Sequence, residues 1–187
     1  MTTIPKMLVA AACLAAIAAQ AQTSPYAGEQ ARDIKSLSER EAADLLAGQG
    51  MGLAKAAELN GYPGPAHVLE HADALALTPQ QRAATQTLMT GHKARARALG
   101  MELVAAERAL DQAFRTRQID EGTLSRLTAE IGRKQAQLRE EHLRTHLAQT
   151  ALLDASQVER YSVLRGYVSA ATAPRTDTQP AQQHKHH

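Results

Sequence analysis

Residues 67–81 read HVLEHADALALTPQQ, from His67 to Gln81. Two histidines four apart, His67 and His71, precede Leu77-Thr78-Pro79-Gln80-Gln81, which has the chemistry of a helix start. The Thr78 side-chain oxygen can accept from the first turn, Gln81 can reach back to the N–H of the cap, and Pro79 stands at the first helical position, where a missing N–H costs nothing. The construction returns at His142-Leu143-Arg144-Thr145-His146, followed by Leu153-Asp154-Ala155-Ser156-Gln157. There Asp154 replaces Thr and Gln157 matches Gln81. Six residues separate His71 from its cap and seven separate His146 from its own, so the copies read as two ends of one design.

The chain between the copies predicts a hairpin. From Pro79 to about Arg117 one stripe holds Thr85, Met89, His92, Ala96, Leu99, Leu103, Ala106, Leu110 and Ala113. Steps of four and three are the seam of a helix packed lengthwise on another. Gln118 to Gly122 breaks the pattern, with Asp120 or Thr123 as cap. The returning helix, about Thr123 to Leu152, lines up Leu124, Leu127, Ile131, Leu138, His142, Thr145, Gln149 and Leu152. On its outer side Glu130/Lys134 and Glu140/Arg144 are spaced to pair. Leu143 and Leu147 give it a second apolar side, which calls for another neighbour: the His67 helix or a second subunit. Gly91 is the expected point of close approach between helices.

A turn centred near residue 119 sets position 92 level with about 146, and each residue of error moves that level only ~1.5 Å. The helix that starts at Pro65 and carries His67 and His71 folds back to the same end. His67, His71, His92, His142 and His146, with Met89, are therefore expected together. The last ordered helix follows Asp154 and buries Val158, Tyr161 and Leu164.

The flanks are simpler. Lys6 precedes an apolar run, Met7 to Ala19, too short to span a bilayer, and Ala19-Gln20-Ala21 suits a signal peptidase. Residues 1–21 read as a signal peptide, giving a periplasmic protein; lipidation at Cys13 is the alternative, disfavoured because no Leu precedes it in the usual place. After cleavage no thiol remains to bind metal or form a disulfide. Residues 22–64 form an N-terminal segment with two short helices, one capped by Ser38 and Glu41 and ending at Gly48, the other from about Leu53 to Leu59. Residues 65–168 form the hairpin domain, and 169–187 a disordered tail holding His184, His186 and His187. With 3 % aromatic residues and no Trp, the composition suits slender helices packed through Ala and Leu, so the fold class is all-α. The 21 basic and 19 acidic side chains alternate along helices, which excludes a nucleic-acid footprint.

Two H-x3-H pairs, with His92 between them, offer imidazole nitrogens suited to Ni, Co, Cu or Zn, and Met89 adds a soft donor. No organic cofactor is indicated. No Ser/His/Asp or Cys/His set is present, and no Glu directly follows His67 as in a zinc protease, so an enzyme is not expected.

The Leu-Thr-x-x-Gln run at Leu77–Gln81 and its variant at Leu153–Gln157 resemble the Spy/CpxP family of periplasmic stress proteins. That resemblance implies a long helical hairpin, dimerisation into a curved cradle, and either ATP-independent holding of unfolded clients or stress signalling. At the histidines the chain is similar to CnrX-type nickel/cobalt sensors, which implies metal ligands at His67, His71 and His142. His146 stands where those sensors have Met, and Met89 where they have Glu, with His92 one turn away. The resemblance spans roughly residues 65–168. The expected function is a periplasmic metal-binding stress or sensor protein, a homodimer that meets unfolded proteins or a membrane signalling partner. The alternative is a metal-independent chaperone.

Overall fold

The computed structural model describes residues 24–168. The expected signal segment with Cys13, and the tail with its three histidines, lie outside the described residues. The chain divides into two compact units, Met1–Ala31 and Arg32–His187. In the first, the described residues 24–31 include a single 3-10 turn, Glu29–Ala31. In the second, the described residues form six helices: α1 (Glu39–Leu46), α2 (Lys55–Glu58), α3 (Pro65–Glu70), α4 (Pro79–Arg115), α5 (Glu121–Ala151) and α6 (Ala155–Leu164). The protein is all-α, with no strand among the described residues. None of these helices is long and apolar enough to cross a membrane.

Helices α4 and α5 form the antiparallel hairpin. Arg117 takes a left-handed conformation after α4 (φ 56°), and Asp120 caps α5 by accepting from Thr123 N at 2.7 Å. The buried seam follows the sequence stripe: Ala96, Leu103 and Ala106 from α4 meet Ile131 and Leu138 from α5, with Ile34 and Leu45 covering them. Of the expected outer pairs Glu140/Arg144 is present, whereas Lys134 reaches across the hairpin to Glu102 and Glu130 lies 3.6 Å from Arg133.

Helix α1 starts at the Ser38/Glu41 capping box. It ends with Gly48 N on Leu45 O and Gln49 N on Asp44 O, a Schellman closure that needs the left-handed Gly48 (φ 61°). The helix lies so close to α4 that a Cβ at Gly100 would sit 2.1 Å from Leu45 O. The close approach is therefore at Gly100 and not at Gly91, where only the movable Arg95 guanidinium stands near. Helix α2 is shorter than its expected span, reaching only from Lys55 to Glu58.

The two capping boxes both form, and they lock together. Thr78 Oγ1 accepts from Gln81 N and Asp154 Oδ1 from Gln157 N, while each glutamine Oε1 accepts from its own cap's N–H at 3.0 Å. The two amides then exchange hydrogen bonds, Gln81 Nε2 to Gln157 Oε1 at 2.8 Å and Gln157 Nε2 to Gln81 Oε1 at 3.0 Å. The remaining amide hydrogens go to Leu152 O and Leu75 O. Each side chain thus uses two donors and two acceptor positions, the full capacity of a primary amide. Below the pair a second apolar cluster, Val68, Ala72, Leu75, Leu77 and Tyr161 with Leu153, fixes α3 and α6 to the open end of the hairpin. Each fully buried side chain of this size contributes about 1.5–3 kcal/mol.

Candidate metal centre

At that open end a cleft of about 490 Å³ lies between the hairpin, α3 and the chain around α2. His67, Met89, His92, His142 and His146 all line it. Helix spacing explains the grouping: His142 and His146 are one turn apart on α5, and the antiparallel register puts His92 of α4 level with them. His92 and His142 meet edge to face with ring centroids 4.7 Å apart. His71 does not line the cleft. Helix α3 ends at Glu70 and His71 is its C-cap (φ −100°, ψ 19°), with its N–H still bonded to His67 O at 3.0 Å.

Three of these rings are oriented through Nδ1. His146 Nδ1 lies 2.8 Å from Tyr62 O, a carbonyl that only accepts, so Nδ1 carries the hydrogen and Nε2 the lone pair. His92 Nδ1 lies 3.1 Å from Glu141 Oε1 and 3.0 Å from Thr145 Oγ1. Because the Thr145 hydroxyl donates to Glu141 O, both neighbours accept from His92 Nδ1. His67 Nδ1 lies 3.0 Å from Glu70 Oε2. In each case the neutral imidazole keeps an Nε2 lone pair, the arrangement that second-shell acceptors impose on metal-binding histidines. The fourth ring, His142, is 4 % exposed and its Nε2 has no hydrogen-bond partner.

Electrostatics keep the buried rings neutral. Burial, then the neighbouring His92, pushes His142 from the ordinary imidazole range down to about 4. Burial also lowers His92, against the opposing pull of Glu141. Burial alone would raise Glu141, but hydrogen bonds from Arg95 and His92 outweigh it and hold the carboxylate ionised. A metal ion needs unprotonated imidazole, so this bias suits ligation at neutral pH.

The donor set fits a borderline divalent cation, and the orphaned His142 Nε2 is the atom a ligand would satisfy. A second fit is steric: a Cβ at Gly64 would come 2.8 Å from His146 Cε1 and 3.0 Å from its Nε2, so Gly64 leaves that nitrogen uncovered. The donors share a cleft without forming a closed cage, since no group of three His, Cys, Asp or Glu side chains is drawn into metal-holding geometry among the described residues.

Sequence reasoning missed Glu58, which lines the same cleft from α2. Its Oε1 accepts from Tyr161 Oη at 2.6 Å and Tyr167 Oη at 2.9 Å, and its buried Oε2 has no hydrogen bond. Burial, then this carboxylate, holds the Tyr161 hydroxyl protonated well above the usual phenol range. Helix α2 is too short to show a period. The usable signal was the stiff Tyr62-Pro63-Gly64-Pro65 turn beside it, which presents both the Tyr62 carbonyl and Gly64 to His146.

Compared with known proteins, residues 7–160 match the sequence model of a family described as heavy-metal resistance. No curated protein matches, and neither does any solved structure.

Proposed function

The chain belongs to the heavy-metal resistance family, and from that membership we propose that it binds a divalent transition metal in the histidine cleft as a periplasmic resistance or sensor protein. The observation that carries the reading is the set of cleft imidazoles, three with Nδ1 anchored and one with a buried, unpartnered Nε2. His92, His142 and His146 would hold the ion, with His67 and Met89 at the rim. The metal, when bound, supplies a Lewis-acidic cation that satisfies His142. The protein's own residues fix tautomers, keep His92 and His142 unprotonated and set the end of the hairpin on which occupancy is read. The role is binding, not catalysis. Nickel, cobalt, zinc and copper are the candidate ions, and the oxygen and nitrogen partners around the cleft favour the divalent ones. The signal-like run at Met7–Ala19 supports the periplasmic setting, and the capping resemblance supports a homodimer.

Calorimetry with each metal on the wild type and on a His142→Ala/His146→Ala variant tests this. Stoichiometric binding that weakens at least about 100-fold in the variant, some 2.7 kcal/mol, is the expected result. Binding of equal strength in both overturns the site. Absence of binding, with protection of an unfolded client, would instead make the protein a metal-independent chaperone.

A further inference from the structure

The metal reading leaves the one acidic group on the cleft wall without a task. Among the residues lining the cleft Glu58 is the single acidic one, while Lys55, Lys93 and Arg165 are basic. Imidazole and thioether donors bring no negative charge to offset that of a divalent ion, and three basic side chains oppose its entry. A carboxylate ligand would offset that charge.

Glu58 stands ready on one side only. Its Oε1 holds the two tyrosine hydroxyls and lies 3.4 Å from Arg165 Nε. Its Oε2 is buried, makes no hydrogen bond, and lies 3.6 Å from His146 Nδ1. That nitrogen's hydrogen is already committed to Tyr62 O at the shorter distance of 2.8 Å. Glu58 Oε2 and His146 Nε2 also border the same space above Gly64: a Cβ there would stand 3.6 Å from the oxygen and 3.0 Å from the nitrogen. A buried carboxylate oxygen without a partner is costly. Three buried atoms on residues of this cleft lack a hydrogen bond, Glu58 Oε2, His142 Nε2 and Arg165 Nε, and of these Glu58 Oε2 and His142 Nε2 are the two that can offer a lone pair to a cation.

We propose that Glu58 is the anionic ligand of this metal site, and that its second oxygen, through Tyr161 and Tyr167, ties metal occupancy to helix α6 and the residues after it. The inference rests on the metal-binding reading and adds a ligand from outside the hairpin, together with the route by which binding is felt. Drawing Glu58 towards a cation takes negative charge away from both hydroxyls. Tyr161 belongs to α6 and to the apolar cluster beneath the glutamine pair, so the change arrives at the element that closes the fold.

Cobalt(II) alone, titrated into the full chain, tests this by calorimetry and by the near-ultraviolet tyrosine absorption. Three proteins are compared: wild type, Glu58→Gln, and Tyr161→Phe/Tyr167→Phe. The expected result is at least tenfold weaker cobalt binding by Glu58→Gln, and a metal-induced tyrosine difference signal in the wild type that vanishes in the Phe variant. If the wild type binds no cobalt, the metal reading and this inference fall together. If the wild type binds and Glu58→Gln binds equally well, Glu58 is no ligand while the histidine site stands. If Glu58→Gln does not fold by circular dichroism, the tyrosine signal decides alone. A silent tyrosine band at saturation, or a signal that persists in the Phe variant, overturns the proposal.

Discussion

Two buried polar clusters stand at the open end of the same hairpin, and they differ in how completely they satisfy themselves. In the glutamine pair every amide hydrogen and oxygen of Gln81 and Gln157 is matched within the chain. In the histidine cleft, His142 Nε2, Glu58 Oε2 and Arg165 Nε are buried without a hydrogen bond. Unpaired buried groups cost about 1–3 kcal/mol each, so a fold that retains them forgoes stability at that place. Gln149 Oε1 and Glu159 Oε1, outside the cleft, are also buried without a hydrogen bond, so what sets the cleft apart is that its unpaired lone pairs are gathered beside further imidazoles, whereas the glutamine pair spends all of its own on the fold.

Breaking the satisfied cluster should have the largest effect on stability. Gln157→Ala leaves half the capacity of Gln81, the Leu75 carbonyl and the Asp154 N–H without partners. Chemical denaturation should show a loss of about 2–3 kcal/mol, while the cleft keeps its metal donors. Equal stability of variant and wild type would mean that water replaces the lock at no cost.

Relieving the unsatisfied cluster should work in the opposite direction. His142→Leu removes the orphaned nitrogen at similar side-chain volume, and should raise the stability of the metal-free protein by about 1 kcal/mol while abolishing metal binding. The same residue sets a pH dependence. In the folded chain His142 is held down to about 4, against an ordinary value of 6.5. Between those limits the unfolded chain takes up the proton and the folded chain does not. Wild-type stability should therefore fall as pH drops from 6.5 towards 4. Denaturation midpoints across that window should slope less in His142→Leu than in the wild type.

The smallest effect is expected from the histidine that the cleft leaves out. His71→Ala should alter stability by no more than about 0.5 kcal/mol, and metal affinity within error, when assayed beside His142→Leu. A large loss of affinity would return His71 to the site.

The same contrast explains what the sequence could reveal. Both caps were legible at Thr78/Gln81 and Asp154/Gln157 because capping is local chemistry over four residues. The seam and the level of His92 with His142 were legible because long helices convert residue count into distance. The pairing of the two glutamines was not, since it depends on how α6 returns to α4. His71 misleads because the four-residue spacing says only that two side chains share a helical turn, and the cleft takes up His67 at the start of that turn and not His71 at its C-cap. Gly91 and Gly100 look alike as letters, and only the packing of Leu45 O against α4 tells them apart. Glu58 was hidden by an element of four residues, whose direction is set by the Pro63-Gly64-Pro65 turn and not by any period.

One measurement bears most directly on the claim that the unpaired groups mark a ligand site: equilibrium unfolding of the wild type and His142→Leu, each with and without saturating zinc. The account predicts a crossover. Without metal His142→Leu is the more stable protein. With zinc at about 100 times its dissociation constant the wild type gains roughly 2.7 kcal/mol and overtakes it. Equal gains from zinc in both proteins, or a metal-free His142→Leu less stable than the wild type, would contradict it.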